Sequence, residues 1–219
     1  MFQAIVINVF LLLICYHSLK AYIKKYIRDE IISFQLYRSI ICTFIALYST
    51  IQIFINWDKF WNIPTKYVDK HTEWVNILTL SYFISDIFTM ICQKNKRVDL
   101  WIHHTFCLIS LSLHSIFYSN PCIILNGVIM AEFMSAVSGL DAVAKYFKYG
   151  NILWWTKLYR CLVIILIRFP IWIMLIKFVL TTDMYYAAQV NCIIGSITMS
   201  SLDIYWLRLC ITALQTQIY

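Results

Sequence analysis

Two adjacent histidines, His103 and His104, open an apolar stretch that reads VDLWIHHTFCLISLSLHS. An imidazole beside an acyl thioester can act as a nucleophile or as a general base, and a carboxylate can orient its ring. Asp86 and Glu132 lie in the apolar segments before and after the histidines. The four side chains are therefore the candidate catalytic residues, although interhelical hydrogen bonding is an alternative role for each of them.

The two imidazoles point in different directions if the stretch is helical, because adjacent residues lie about 100° apart around a helix. One ring can face the interior of a helical bundle, and the other would then brace a neighbouring helix. Adjacent histidines also converge poorly on one metal ion, for which spacings of three or four residues are suited. The sequence therefore predicts no metal site and no other cofactor.

Further polar residues recur at helical spacing on the same faces as these groups. Tyr82 precedes Asp86 by four residues, and Cys107 and Ser110 follow His103 by four and seven. A polar stripe on an apolar helix must face protein or water, since lipid cannot satisfy its hydrogen bonds. The residues predicted to line an interior lipid site are Tyr82, Cys107, Ser110, Ser135, Arg168, Ser200 and Asp203.

Composition defines the class of protein that must position these residues. Of the 219 residues, 61% are hydrophobic and 13% are charged, and the mean hydropathy is +0.71. These values are typical of an integral membrane protein and not of a soluble domain. The net charge of +7 arises from Lys and Arg scattered in short connections, which argues against a nucleic-acid surface. The eight cysteines occur singly and are read as free thiols.

Apolar runs of the length needed to cross a bilayer, about 20 residues, recur along the whole chain. The sequence therefore predicts an all-α, polytopic membrane protein with about seven transmembrane helices. The predicted spans are 2–19, 36–55, 74–92, 100–118, 122–140, 158–180 and 188–213.

The distribution of Lys and Arg predicts the orientation of these spans. The first, third and fifth connections together carry eleven such residues, whereas the other three carry four. Because cytosolic loops are enriched in Lys and Arg, the odd-numbered connections are predicted to be cytosolic. Seven spans then place the N-terminus on the lumenal or external side and the C-terminus in the cytosol.

Three stretches in consecutive segments carry a family resemblance: SYFISDIFTMIC with its aspartate, the His-His pair, and AEFMS. Together they resemble the TLC family, which includes ceramide synthases, translocating-chain-associated membrane proteins and small TLC-domain proteins. The resemblance covers residues 31–219 as a TLC domain and leaves 1–30 as an N-terminal anchor with a basic cytosolic loop. It implies six helices arranged around an interior lipid tunnel, in the endoplasmic reticulum or a related membrane.

The third stretch departs from the ceramide-synthase pattern. Those enzymes carry a His-Asp followed by a second Asp, whereas MAEFMS provides Glu132 alone. The chain thus looks more like the small TLC-domain proteins. The resemblance implies a protein that binds or senses membrane lipids and influences lipid composition or trafficking.

The alternative is an acyltransferase of ceramide-synthase type, with acyl-CoA as co-substrate and the His-His pair transferring the acyl group to an amine or hydroxyl. Whether the protein is an enzyme stays open at this stage, and so does its oligomeric state. A channel or transporter is disfavoured, because the chain has only four glycines and no internal repeat.

Overall fold

The computed structural model describes residues 2–27, 29–63, 67, 69–117, 123–182 and 185–216. About 90% of the protein is helical, and no strand occurs in these ranges. The junction between the fourth and fifth predicted spans, at Tyr118 and Cys122, lies outside the described residues, as does the C-terminal Tyr219.

The helices follow the predicted spans in order. They are α1 (Phe2–Ile23), α2 (Glu30–Ile55), α3 (Trp57–Asn62), α4 (Lys70–Cys92), α5 (Val98–Phe117), α6 (Ile124–Met130), α7 (Ser138–Tyr146), α8 (Gly150–Val163), α9 (Phe169–Thr181) and α10 (Tyr186–Gln215). A 3₁₀ segment, Ala131–Val137, joins α6 to α7, and a π-helical segment, Ile164–Arg168, joins α8 to α9. The structure therefore has two long composite helices, Ile124–Tyr146 and Gly150–Thr181.

Within the described residues, six helices are long and apolar enough to cross a membrane. They are α1, α2, α4, the two composite helices and α10, and the segment Val98–Leu113 of α5 is a shorter apolar helix. Large apolar side chains such as Ile14, Leu166 and Ile173 lie exposed on the outer surface. These features are those of a polytopic integral membrane protein, because an exposed apolar surface of this extent suits lipid and not water.

Two aspartates cap the N-termini of α2 and α4, the helices that carry many of the buried polar side chains. The Asp29 carboxylate accepts a 2.8 Å hydrogen bond from the backbone N–H of Ile31 at the start of α2. The Asp69 carboxylate accepts one of 2.6 Å from the backbone N–H of Thr72 at the start of α4. Each cap satisfies a backbone donor that the first helical turn leaves unpaired.

The order in which neighbouring helices contact one another is closed: it begins and ends at α2. Helix α2 contacts α4, α4 contacts α5, and α5 contacts α10. Helix α10 contacts the α8–α9 helix, which contacts the α6–α7 helix, and the α6–α7 helix packs on α2 to close the order. Helix α1 lies outside this order against α2 and α4, with only Leu12, Tyr16 and Ile23 buried. The polar residues of the other helices consequently meet in a shared interior.

The 3₁₀ segment packs closely on α2 because small residues face it. The Ser39 hydroxyl donates a hydrogen bond to the Ala136 carbonyl, and the Ser138 hydroxyl donates one of 3.3 Å to the Gln35 carbonyl. A methyl group added at Gly139 would lie 2.9 Å from a backbone atom of α2, the Cα of Leu36. Glycine is therefore required at this crossing, where the two backbones come nearest.

Several charges that the sequence assigned to the fifth connection lie within helices. Lys145 is in α7, whereas Lys157 and Arg160 are in α8, which begins at Gly150 and not near Leu158. The connection itself consists of residues 147–149, where Lys148 adopts a positive φ of 58°. The apolar-run criterion missed the ends of these helices because charged and polar residues interrupt the apolar runs there.

Candidate functional site

His103 and Glu132 form a hydrogen-bonded pair in the buried interior. His103 projects from the second turn of α5, and its Nε2 lies 3.2 Å from Glu132 Oε1 on the 3₁₀ segment. Only about 4% of His103 and 3% of Glu132 are exposed. A 3₁₀ helix places residues three apart on one face, so Ser135 lies above Glu132, and its hydroxyl donates a 3.3 Å hydrogen bond to Oε2.

His104 points to the other side of α5 and meets Arg38 of α2. The Arg38 Nη2 lies 2.7 Å from His104 Nε2, and the Asp86 carboxylate of α4 lies 3.2 Å from the same nitrogen. Asp86 Oδ1 is also 3.4 Å from Arg38 Nε. Because Arg38 stays protonated and can only donate, His104 Nε2 accepts its hydrogen bond. Arg38 and Asp86 therefore form a buried ion pair, and the neutral ring of His104 completes a buried polar triad with them.

A bridge of polar atoms connects the triad to the His103–Glu132 pair. The Tyr82 hydroxyl accepts a 3.4 Å hydrogen bond from Arg38 Nε and one of 3.2 Å from the Cys42 thiol. The Cys42 sulfur also lies 3.4 Å from Glu132 Oε2. The four predicted catalytic residues thus belong to one buried polar cluster, although they do not all face the same space.

His103 has one ring nitrogen committed to Glu132 and one directed elsewhere. With Nε2–H donating to the carboxylate, Nδ1 is left as an acceptor, and its nearest polar neighbour is the Cys107 sulfur at 3.8 Å. The ring also packs edge-on against Trp206, at 5.7 Å between ring centroids. His103 is consequently held in a defined orientation by a carboxylate on one nitrogen.

Arg168 and Asp203 form a second buried ion pair, between the π-helical segment and α10. Arg168 Nε donates a 2.6 Å hydrogen bond to Asp203 Oδ1, and Trp172 Nε1 donates one of 2.7 Å to Oδ2. Arg168 Nη1 donates to the Ala131 carbonyl at 2.7 Å, at the start of the 3₁₀ segment. Arg168 thus joins α10, the α8–α9 helix and the α6–α7 helix.

A cavity of about 560 Å³ occupies one end of the bundle. Its walls come from the beginnings of α2, α5 and α8, the residues around the 147–149 connection and the end of α10. We call it the basic cavity, because its lining includes Arg38, Arg97, Lys145, Lys148, Lys157, Arg160 and Arg168. His103, Ser135 and Trp206 also line it.

A second cavity of about 60 Å³ lies between α4, α5, α6, α9 and α10. We call it the apolar cleft, because its walls are mostly hydrocarbon, with Phe83, Phe106 and Trp172 among them. Phe106 rests on the bare backbone of Gly195, where an added methyl group would lie 2.6 Å from its ring. His103 lines both the basic cavity and the apolar cleft, and Glu132 lines the cleft.

The remaining predicted lining residues fall into three groups. Cys107 and Ser110 line the apolar cleft, and Ser135 and Arg168 line the basic cavity. Tyr82 is buried within the polar cluster. Ser200 and Asp203 line neither of these two cavities, and Asp203 is instead the buried partner of Arg168.

The sequence-based prediction included Arg168 but missed Arg38 and the other cations of the basic cavity. Arg38 interrupts the beginning of an otherwise apolar span, which is a signal in itself. Lys157, Arg160 and Arg168 follow one another at i, i+3 and i+11, the spacing of a single helical stripe. A count of Lys and Arg that serves only to assign topology does not reveal such a stripe.

Candidate metal ligands do not gather in the part of the chain that the structure describes, where no group of three or more His, Cys, Asp or Glu side chains is placed to hold an ion. Comparison of the sequence with models of known protein families gave no match, and comparison with curated proteins gave none either.

Proposed function

We propose that the chain is a membrane protein of TLC type that binds an amphiphilic lipid inside its helical bundle and thereby influences membrane lipid composition or trafficking. The observation that carries this proposal is the position of His103 between the basic cavity and the apolar cleft. A cation-lined space and a hydrocarbon-lined one that share His103 as a lining side chain match a ligand with a charged headgroup and a hydrocarbon tail.

The sizes of the two spaces favour a ligand whose headgroup lies in the basic cavity. That cavity has the volume of a typical small-molecule site, whereas the cleft holds the volume of about two water molecules. A lipid tail in the cleft would have to displace lining side chains such as Phe106. In this proposal the cleft is the narrow part of the interior lipid tunnel.

An acyltransferase is the second candidate, and the geometry of His103 is the observation that favours it. Glu132 occupies Nε2, so Nδ1 is available as a base or nucleophile where headgroup and tail would meet. His104 takes no part in this scheme, because its Nε2 accepts a hydrogen bond from Arg38. Acyl-CoA would be the co-substrate, with an amine or hydroxyl as acceptor.

The topology in this proposal has α5 as a seventh membrane crossing. The N-terminus is then lumenal or external, the C-terminus is cytosolic, and the basic cavity opens to the cytosol. An endoplasmic reticulum or related membrane suits a TLC-type protein. The positive-inside distribution of Lys and Arg supports this orientation.

Replacing Glu132 by glutamine tests the lipid-binding proposal. We expect the Glu132→Gln variant to fold but to retain about fivefold less co-purified lipid, because the Nε2–H of His103 loses its charged acceptor, a hydrogen bond worth about 1 kcal/mol or more. Lipid bound per protein is measured by mass spectrometry after purification in detergent. Glu73→Gln, at a partly exposed position in α4, is the matched control.

An activity assay on the same preparations separates the two candidates. Wild-type protein is supplied with long-chain acyl-CoA and a panel of sphingoid and glycerol acceptors. Lipid binding alone predicts no acylated product. Product formation that falls in Glu132→Gln while bound lipid is unchanged would favour the acyltransferase, and wild-type protein without any bound lipid would contradict the proposal.

A further inference from the structure

We propose that the basic cavity binds a ligand carrying two or more closely spaced phosphate groups. In the proposed function this ligand is the headgroup of the bound lipid, and to that extent the inference rests on that function. The basic cavity contains an excess of cations, most of which the sequence-based topology assigned to connections between spans.

The charges around Asp141 are strongly unbalanced. Lys145 and Lys157 each form an ion pair with its carboxylate, and Arg160 Nη2 lies 3.9 Å from it. Lys148 lies beside them in the lining of the cavity. Three cations therefore share one carboxylate and a fourth lines the same cavity, which leaves a positive surplus that a polyanion can neutralise.

The burial of these cations distinguishes them from solvated loop charges. The side chains of Lys157 and Arg160 are only 14% and 18% exposed, so both are drawn into the bundle. Keeping like charges together away from water is unfavourable unless further anions join them. The single carboxylate of Asp141 does not provide enough negative charge for the group.

Two guanidinium nitrogens in the lining of the cavity also have no hydrogen-bond acceptor. Arg168 is about 1% exposed, and its Nη2 makes no hydrogen bond although its other nitrogens bind Asp203 and Ala131. Arg160 Nε is likewise buried without an acceptor. A buried donor without an acceptor is costly, and phosphate oxygens are the acceptors that guanidinium groups bind best.

The arrangement suits clustered phosphates better than a single anion. Arg168 lies deep beside Trp206, whereas Lys145 and Lys148 are exposed at the opening of the cavity. A ligand that reaches both groups needs negative charge at more than one point along its length. A soluble polyphosphate compound and a phosphorylated lipid headgroup both have this property.

Binding of inorganic pyrophosphate to the purified full-length protein tests the inference. We expect calorimetry in detergent to show saturable binding that is tighter for pyrophosphate than for orthophosphate. The Lys145→Gln/Lys148→Gln double variant should bind at least about tenfold more weakly, since each lysine near a phosphate contributes about 1 kcal/mol. Raising the salt concentration should weaken binding.

The matched control removes two lysines from another connection on the same predicted side of the membrane. Lys94 and Lys96 are exposed and lie outside the basic cavity, and Lys94 shares the positive φ of Lys148. Lys94→Gln/Lys96→Gln should change pyrophosphate affinity less than twofold. Thermal unfolding of both double variants establishes that neither has lost its fold.

Lipid nanodiscs distinguish the two sources of phosphate. Competition of pyrophosphate by nanodiscs containing a bisphosphorylated phosphoinositide, but not by phosphatidylcholine alone, would identify a lipid headgroup; pyrophosphate binding without such competition would identify a soluble ligand. The inference is overturned if pyrophosphate fails to bind, or if both double variants weaken binding equally. Retained lipid without phosphate binding would overturn this inference alone, whereas pyrophosphate binding without retained lipid would overturn the proposed function.

Discussion

The Asp203→Ala variant is expected to lose about 3–5 kcal/mol of unfolding free energy, the cost of leaving a buried charge without its partner. Arg168 and Asp203 are both almost completely buried, and Asp203 accepts hydrogen bonds from Arg168 and Trp172. Removing the carboxylate leaves both donors without an acceptor. Reversible unfolding in mixed micelles measures the loss.

The surface ion pair between Lys20 and Glu30 provides the matched control. Its side chains are 27% and 57% exposed, so Glu30→Ala should cost less than about 1 kcal/mol. The Arg168→Met/Asp203→Leu double variant removes both charges and should recover much of the stability lost in Asp203→Ala. A loss in Asp203→Ala no larger than that in Glu30→Ala would refute a buried ion pair at this position.

The second large effect is expected at the triad of Arg38, Asp86 and His104. Asp86→Ala should also cost about 3–5 kcal/mol, because Arg38 is about 4% exposed and Asp86 is its only carboxylate partner among the described ion pairs. Asp86→Asn keeps the shape but cannot offset the guanidinium charge, so it should lose part of that stability. Unfolding in mixed micelles again provides the measurement.

Glu73→Ala is the control within the same helix. Glu73 is partly exposed in the first turn of α4, where a carboxylate favours the helix by less than about 1 kcal/mol. If the triad holds α2, α4 and α5 together, hydrogen exchange should accelerate in all three helices of Asp86→Asn and not in Glu73→Ala. Exchange confined to α4 would argue against that linkage.

The all-helical membrane architecture was predictable because apolar runs of bilayer length dominate the chain. The stripe containing His103, Cys107 and Ser110 was predictable for a related reason, since polar residues on an apolar helix must turn inward. The structure places all three on the interior side of α5, with each of them lining a cavity. Periodicity within one helix identifies an inward face.

Periodicity within one helix does not show which inward faces meet. The sequence does not show that His103 contacts Glu132 and that His104 contacts Asp86, because these contacts depend on how α5 is rotated against its neighbours. The 3₁₀ segment that aligns Glu132 with Ser135 was also hidden, since no proline or glycine marks residues 131–137. The basic cavity as a whole was not predicted, although Arg168 was, because its cations come from several helices and connections that the sequence does not bring together.

Photo-crosslinking with a phospholipid that carries a diazirine on its acyl chain tests the central claim, that a lipid occupies the interior beside His103. The account predicts saturable labelling of Cys107 and Ser110, which line the apolar cleft, that an unlabelled lipid competes away. Ile102 and Ile109 face outward on the same helix and should be labelled without saturation by bulk lipid. Labelling of Ile102 and Ile109 alone would contradict the account.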